Sequence, residues 1–276
     1  MNILIVGLGL IGGSYAMSLS NKGHNVYGVD INKETLAYAL NKKWILEGSL
    51  DAADFICKSD LIIIGLYPEL IMDFLNKYSH LFNSNQIITD VCGVKSSFVD
   101  KATKLAKPAT YLSHHPMAGK EKVGITYADS RIFVGANFLI TPIDDKCEYA
   151  LNVLRNIAIE MGFGRISIMS PKRHDEMIGF TSQLTHAIAV SLVNSDHDAE
   201  TKKFIGDSYR DLTRIAMINE KLWSELFLEN KEALLNHIES FETELNILKN
   251  ALYNDDKKKL NELFKNSTKV RKEMEK

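Results

Sequence analysis

Short apolar runs and amphipathic stretches alternate along the first two-thirds of the chain. Strand-like, β-branched runs fall at residues 3–6, 25–30, 61–65, 86–90, 110–113, 138–141 and 165–169, with helix-period segments between most of them. Strands separated by helices predict a parallel sheet with crossover helices. The runs at 3–6 and 61–64 have no polar alternate, so both are predicted to be central strands covered on two faces. After residue 169 the strand pattern stops. Ser170-Pro171 supplies an N-cap followed by proline at the first helical position, and from there to residue 276 the chain reads as helix. The predicted fold is α/β. A Rossmann-type doubly wound, mostly parallel sheet spans 1–169, and an all-helical domain spans 170–276.

Within the helical part, 184–193 is apolar on nearly every side, as suits a helix buried between others or in a subunit interface, and a homodimer is expected. Leu222, Leu226, Leu234, Ile238, Phe241, Leu245 and Leu248 recur at helical spacing and predict one long amphipathic helix over 221–252. The tail at 255–276 mixes eight basic with five acidic residues and reads as a solvated terminal helix. Composition acts here by exclusion. With 33 Lys and Arg against 35 Asp and Glu, the net charge of −2 gathers neither nucleic acid nor an anionic membrane. No apolar run approaches the ~20 residues that span a bilayer, and no charged segment precedes the first strand as in a secretory signal, so a cytoplasmic chain is expected. Cys57, Cys92 and Cys147 are odd in number and widely spaced, which points to reduced thiols and to no metal site.

The chemistry begins directly after the first strand, at Gly7-Leu8-Gly9-Leu10-Ile11-Gly12-Gly13-Ser14. Gly7 permits a tight turn, Gly9 lets the backbone approach a pyrophosphate, and Gly12 lets helix and strand pack closely. Leu10 and Ile11 open a helix whose N-terminal amides point at phosphates. Asp30, ending the next strand, can accept both ribose hydroxyls and repels a 2′-phosphate, which favours NAD over NADP. Leu66 and Tyr67, just after the strand at 61–65, join these as cofactor-binding candidates. A second segment, Leu112-Ser113-His114-His115-Pro116-Met117-Ala118-Gly119-Lys120-Glu121, follows a strand and is expected at the carboxyl edge of the sheet, where open α/β folds bind ligands. Adjacent histidines on an extended chain face opposite ways. One is expected to be structural, and His115 to be the catalytic proton acceptor for an alcohol being oxidised.

These residues resemble the prephenate dehydrogenase family. The resemblance runs through residues 7–14 with Asp30, Thr89-Asp90-Val91-Cys92-Gly93-Val94-Lys95, His115-Pro116-Met117-Ala118-Gly119 with Glu121, His174-Asp175, Ser182-Gln183-Leu184-Thr185-His186, Asp211-Leu212-Thr213-Arg214-Ile215-Ala216, and Phe227-Leu228-Glu229-Asn230-Lys231. It implies oxidative decarboxylation of prephenate to 4-hydroxyphenylpyruvate with reduction of NAD, in tyrosine biosynthesis. Arg214 matches the family's substrate-binding arginine, whose planar fork suits a carboxylate. His115 matches the histidine that takes the substrate hydroxyl proton, and His186 one near the substrate side chain. Glu121, Arg210 and Asp211 match charged positions at the pocket mouth. Two departures stand out. Gly93 replaces a serine that contacts the catalytic histidine, leaving Ser113, Ser96 or a water to supply that hydrogen bond. Gln183 replaces a histidine and can still bond neutral groups there but offers no titrating charge. Arogenate dehydrogenase, acting on the amino-acid analogue, is the nearest alternative. A β-hydroxyacid dehydrogenase is disfavoured because Lys172 lies only in the first turn of its helix, and a non-catalytic dinucleotide-binding module would leave His115 and Arg214 without a task.

Overall fold

A computed structural model describes residues 1–144 and 147–275. The first part of the chain runs β1 (Asn2–Val6), α1 (Leu10–Ser20), β2 (Asn25–Val29), α2 (Lys33–Asn41), β3 (Glu47–Ser49), α3 (Ala53–Ile56), β4 (Leu61–Ile64), α4 (Pro68–Tyr78), β5 (Ile87–Asp90), α5 (Val99–Leu105) and β6 (Thr110–Tyr111). Its six strands are all parallel, in the order β3-β2-β1-β4-β5-β6. This is the Rossmann order, with its switch point between β1 and β4. Alternate residues feed two cores. Ile3, Ile5, Leu61 and Ile63 pack with Tyr15 and Leu19 on one face, while Leu4, Val6, Ile62 and Ile64 pack with Ile71 and Phe74 on the other. Covering both faces explains why β1 and β4 lack polar alternates.

The run expected as one strand at 110–113 is divided. Leu112 donates its amide to Ile88 at 2.9 Å, still on the parallel sheet. The chain then enters a second, three-stranded sheet of β7 (Ser113–Met117), β8 (Asn137–Thr141) and β9 (Arg165–Ile168), with α6 (Glu148–Met161) before β9. Here β7 and β8 are antiparallel and β8 and β9 parallel. The last expected strands thus belong to a separate sheet.

Ser170 caps α7 (Pro171–Ile178) by accepting the Arg173 amide at 3.2 Å, as its sequence predicts. A five-residue π-helical segment, Gly179–Gln183, leads into α8 (Leu184–Asn194), followed by α9 (Asp207–Thr213), a 3-10 turn at Arg214–Ala216, and α10 (Glu220–Glu229). In α8 only Leu184 and Ala189 are buried, so much of its apolar surface is left partly open. The predicted continuous helix over 221–252 is broken. Asn230 leaves helical geometry (φ −117°, ψ 27°) because its side-chain amide is drawn inward to the Asp175 carbonyl and Gln183 Oε1. The chain separates into two compact units, Met1–Asn230 and Lys231–Lys276. The second is a hairpin of α11 (Lys231–Tyr253) and α12 (Lys257–Glu273), and no residue of α12 is buried. Lys276, the end of the predicted tail, lies outside the described residues.

Candidate active site

The glycine turn has the geometry its sequence predicts. Gly7 sits at φ +86°, where a Cβ would lie 2.7 Å from the Gly65 carbonyl oxygen, and a Cβ at Gly12 would lie 1.9 Å from the Gly7 oxygen. A Cβ at Gly9 would meet nothing within 4 Å, which is the open approach a pyrophosphate needs. Leu10 and Ile11 form the first turn of α1, whose leading amides have no partner within the helix. Asp30 Oδ2 accepts the Leu8 amide at 2.8 Å and Oδ1 the Asn32 amide at 2.9 Å. Each oxygen keeps further lone-pair capacity for a ribose hydroxyl. Leu66 packs over Gly7, and the Tyr67 hydroxyl accepts from Asn219 Nδ2 at 3.0 Å, tying this edge to the start of α10.

At the end of β5 lies a fully buried charged centre. Lys95 Nζ donates to Asp90 Oδ1 and to the His114 carbonyl, both at 2.7 Å. The other Asp90 oxygen accepts from the hydroxyls of Tyr111 and Ser113. Burial alone would raise the Asp90 carboxyl, but the Lys95 charge and these hydrogen bonds outweigh it and hold it below the ordinary range. Ser113 is therefore already committed to Asp90. The two histidines do face opposite ways. His114 is enclosed, with Nε2 2.7 Å from the Tyr15 hydroxyl, Nδ1 2.6 Å from Thr89 Oγ1, and its ring stacked on Phe138. Burial, helped by the Lys95 charge, lowers its pKa to about 3.

His115 is only partly buried and meets a neighbour that sequence reading did not join to it: its Nδ1 lies 2.9 Å from Nε2 of His174. His174 Nδ1 in turn lies 2.8 Å from Asp175 Oδ1. The Asp175 carboxylate also accepts the Lys95 amide at 2.9 Å and the Ser96 amide at 2.6 Å. Burial, the neighbouring His174 and the Lys95 charge hold His115 well below the usual imidazole value, so its ring is neutral and can accept a proton. A Cβ at Gly93 would lie 3.7 Å from His115 Cε1 and 3.5 Å from Leu226 Cδ2.

From Leu226 the site continues along α10. Trp223, one turn earlier, stacks on His186 with ring centroids 3.7 Å apart. The His186 Nδ1–H donates to the Ser182 carbonyl at 2.8 Å, and burial lowers its pKa while the Glu121 and Arg214 charges act on it in opposite directions. Arg214 forms an ion pair with Glu121, bringing the helical side of the unit onto the segment after β7. Leu226 and Trp223 pack in one core cluster, Trp223 stacks on His186, and the Arg214 charge acts on the His186 ring. Two candidates fall elsewhere. Gln183 is buried with its amide spent on the Leu226 carbonyl and Asn230. Arg210 is exposed and pairs with Asp207 one turn away on its own helix. Ser96 contributes its backbone amide to Asp175.

Two sequence models match, prephenate dehydrogenase nucleotide-binding domain over residues 15–166 and prephenate dehydrogenase dimerization domain over 170–266. The chain belongs to the prephenate dehydrogenase family. A prephenate dehydrogenase of Bacillus subtilis (strain 168) is 30% identical over 274 residues, covering 95% of this chain and 73% of the relative. Among solved structures, prephenate dehydrogenase from A. aeolicus, in complex with hydroxyphenyl propionate and NAD+, superposes with a TM-score of 0.90 at 30% identity, covering 99% of this chain and 98% of its own. Synechocystis arogenate dehydrogenase does so with a TM-score of 0.85 at 26% identity, covering 99% and 100%. The two family domains meet between residues 166 and 170, at the end of the strand pattern, whereas the compact units divide after Asn230. Within this dehydrogenase, sequence reading missed the contacts of His174 and Asp175 with His115, the stacking of Trp223 on His186, and the Asp90–Lys95 centre. The signals were present, as a His-Asp pair opening a helix and a lysine in an otherwise apolar segment, but neither indicates its tertiary partner.

Proposed function

We propose that this NAD-dependent oxidoreductase converts prephenate to 4-hydroxyphenylpyruvate and carbon dioxide. NAD, when bound along the glycine turn and Asp30, supplies the hydride acceptor. The observation that carries the reading is the neutral His115 ring, held by His174 beside Gly93, in the same compact unit as the Arg214–Glu121 ion pair and the His186–Trp223 stack. His115 accepts the proton of the ring hydroxyl as that carbon loses hydride, and returns it to the oxygen when carbon dioxide leaves the opposite ring carbon and the ring becomes aromatic. The reaction therefore has no net proton change at His115. Arg214 exchanges Glu121 for a substrate carboxylate, which offers the same two-pronged acceptor. A homodimer is supported by the family's dimerization domain and by the open apolar surface of α8.

The test is NADH production measured spectrophotometrically with prephenate and with arogenate. Prephenate is expected to give the larger kcat/KM, and a larger value for arogenate overturns the substrate assignment. Arg214→Gln is expected to raise KM for prephenate by about 10–100-fold, the worth of one to two charge-assisted hydrogen bonds, with NAD affinity unchanged. An unaltered KM means another cation holds the carboxylate.

A further inference from the structure

We infer that His174 and Asp175 are positioning residues that fix the tautomer of His115 through an unbroken series of hydrogen bonds, so that its lone pair is presented to the substrate. The inference rests on the reading of His115 as the proton acceptor and adds to it the device that readies the ring.

The series can be followed from its fixed end. Backbone amides can only donate, and two of them, from Lys95 and Ser96, hold the Asp175 carboxylate. An acceptor so held requires His174 Nδ1 to carry a proton across their 2.8 Å contact. His174 is fully buried, and burial disfavours its charged form, so its second nitrogen, Nε2, is left with a lone pair. That lone pair faces His115 Nδ1 at 2.9 Å, and a hydrogen bond there requires the proton to sit on His115 Nδ1. His115 Nε2 is then unprotonated and free to act. Each link decides the next, and of the three side chains Asp175, His174 and His115 only the last is partly open. Among the described residues, the other charged and titratable groups facing this cluster are Lys95, Asp90, His114 and the Cys92 thiol, and the Lys95 cation adds to burial in keeping both rings neutral at rest. When His115 takes the substrate proton, its new charge is stabilised by the Asp175 carboxylate through His174, with no solvent between them.

The arrangement also bears on Gly93. A glycine there lends His115 no hydroxyl, and the Ser113 hydroxyl is committed to Asp90. The orienting contact on the ring is therefore the one His174 makes to Nδ1.

The experiment labels the histidines with 15N and reads their ring nitrogens by NMR in the full-length protein with NAD bound, assigning His115 through the spectrum of His115→Gln. A protonated Nδ1 and an unprotonated Nε2 on His115 are expected, and the opposite tautomer, or an even mixture, overturns the inference. Kinetics provide the second arm. His174→Phe keeps bulk but offers no acceptor, and is expected to lower kcat by about 10²-fold, the lower end of what a well-placed base contributes, while KM for substrate and NAD affinity stay within about threefold. His174→Gln returns an acceptor near the position of Nε2 and is expected to recover about tenfold of that loss. A kcat for His174→Phe within threefold of wild type overturns the inference. If His174→Phe does not fold, the tautomer of the wild-type ring decides. Wild-type protein inactive on both prephenate and arogenate would defeat the proposed reaction, while the NMR arm would still judge the tautomer.

Discussion

His114 gives the sharpest link between a buried group and stability. Its neutral ring is satisfied on both sides, since one ring nitrogen donates and the other accepts, and the hydroxyls of Tyr15 and Thr89 can each play the complementary part. Adding a proton places a cation in a dry layer against Phe138, near the Lys95 charge, which is why the folded-state pKa falls to about 3. In the unfolded chain the ring titrates near its ordinary value of about 6.5. Above that value both states are neutral and His114 contributes no pH dependence. Below it the unfolded chain binds a proton that the folded protein refuses, so stability falls as pH drops from about 6.5 toward 3. At ~1.4 kcal/mol per pH unit, the loss from His114 alone between pH 6.5 and 5 is about 2 kcal/mol. Other buried histidines add to the total, so the measurement must isolate this one. Urea unfolding of the wild type and of His114→Gln, at one protein concentration and at pH 6.5 and 5, does so because glutamine keeps a donor and an acceptor but does not titrate. The wild type is expected to lose about 2 kcal/mol more than the variant over that interval. Equal losses in the two proteins would refute the argument that His114 is held neutral.

Removing the ammonium of Lys95 leaves the Asp90 carboxylate buried among uncharged donors, so Lys95→Ala is expected to destabilise the fold by about 3–5 kcal/mol in urea unfolding, and a cost below ~1 kcal/mol would show that the pair is not maintained. The two glycines near the ligand edges should respond in opposite ways. Gly12→Ala drives a methyl into the Gly7 carbonyl and is expected to abolish NAD binding by calorimetry, whereas Gly93→Ser meets only ordinary contacts and is expected to leave Tm within about 2 °C. NAD binding that survives Gly12→Ala would remove the close helix–strand approach from the cofactor reading.

Features set by neighbours in sequence were legible, and those set by distant partners were not. The glycine turn, the apolar runs of β1 and β4, and the Ser170 cap each follow from a few consecutive residues, and each appears where the pattern places it. The second sheet could not be read this way. Nothing local distinguishes the two residues of β6 from the five of β7, because the change of sheet is decided when His114 and Pro116 pair with Ile140 and Phe138 on β8. The edge strand β3, Glu47–Ser49, has no β-branched residue and is a strand only because Tyr27, Gly28 and Val29 offer it partners. Asn230 takes the place of one apolar position between Leu226 and Leu234 without shifting the helical period, while its side-chain amide finds acceptors across the fold. In the candidate site, the opposite facing of His114 and His115 was legible from their adjacency on an extended segment. The pairing of the His115 ring with His174, 59 positions further on, is purely tertiary.

The passage from β6 to β7 makes chain length itself a functional parameter. Tyr111 still belongs to one sheet and Ser113 to the next, and of the two successive histidines that follow one is enclosed and the other partly open. Inserting or deleting a single residue anywhere between them exchanges the two imidazoles, sending His115 inward and the enclosed His114 ring outward. Redesign of this dehydrogenase can lengthen the surface loop near Gly119, where an added Cβ would find open space, but must count residues from 111 to 115 without error.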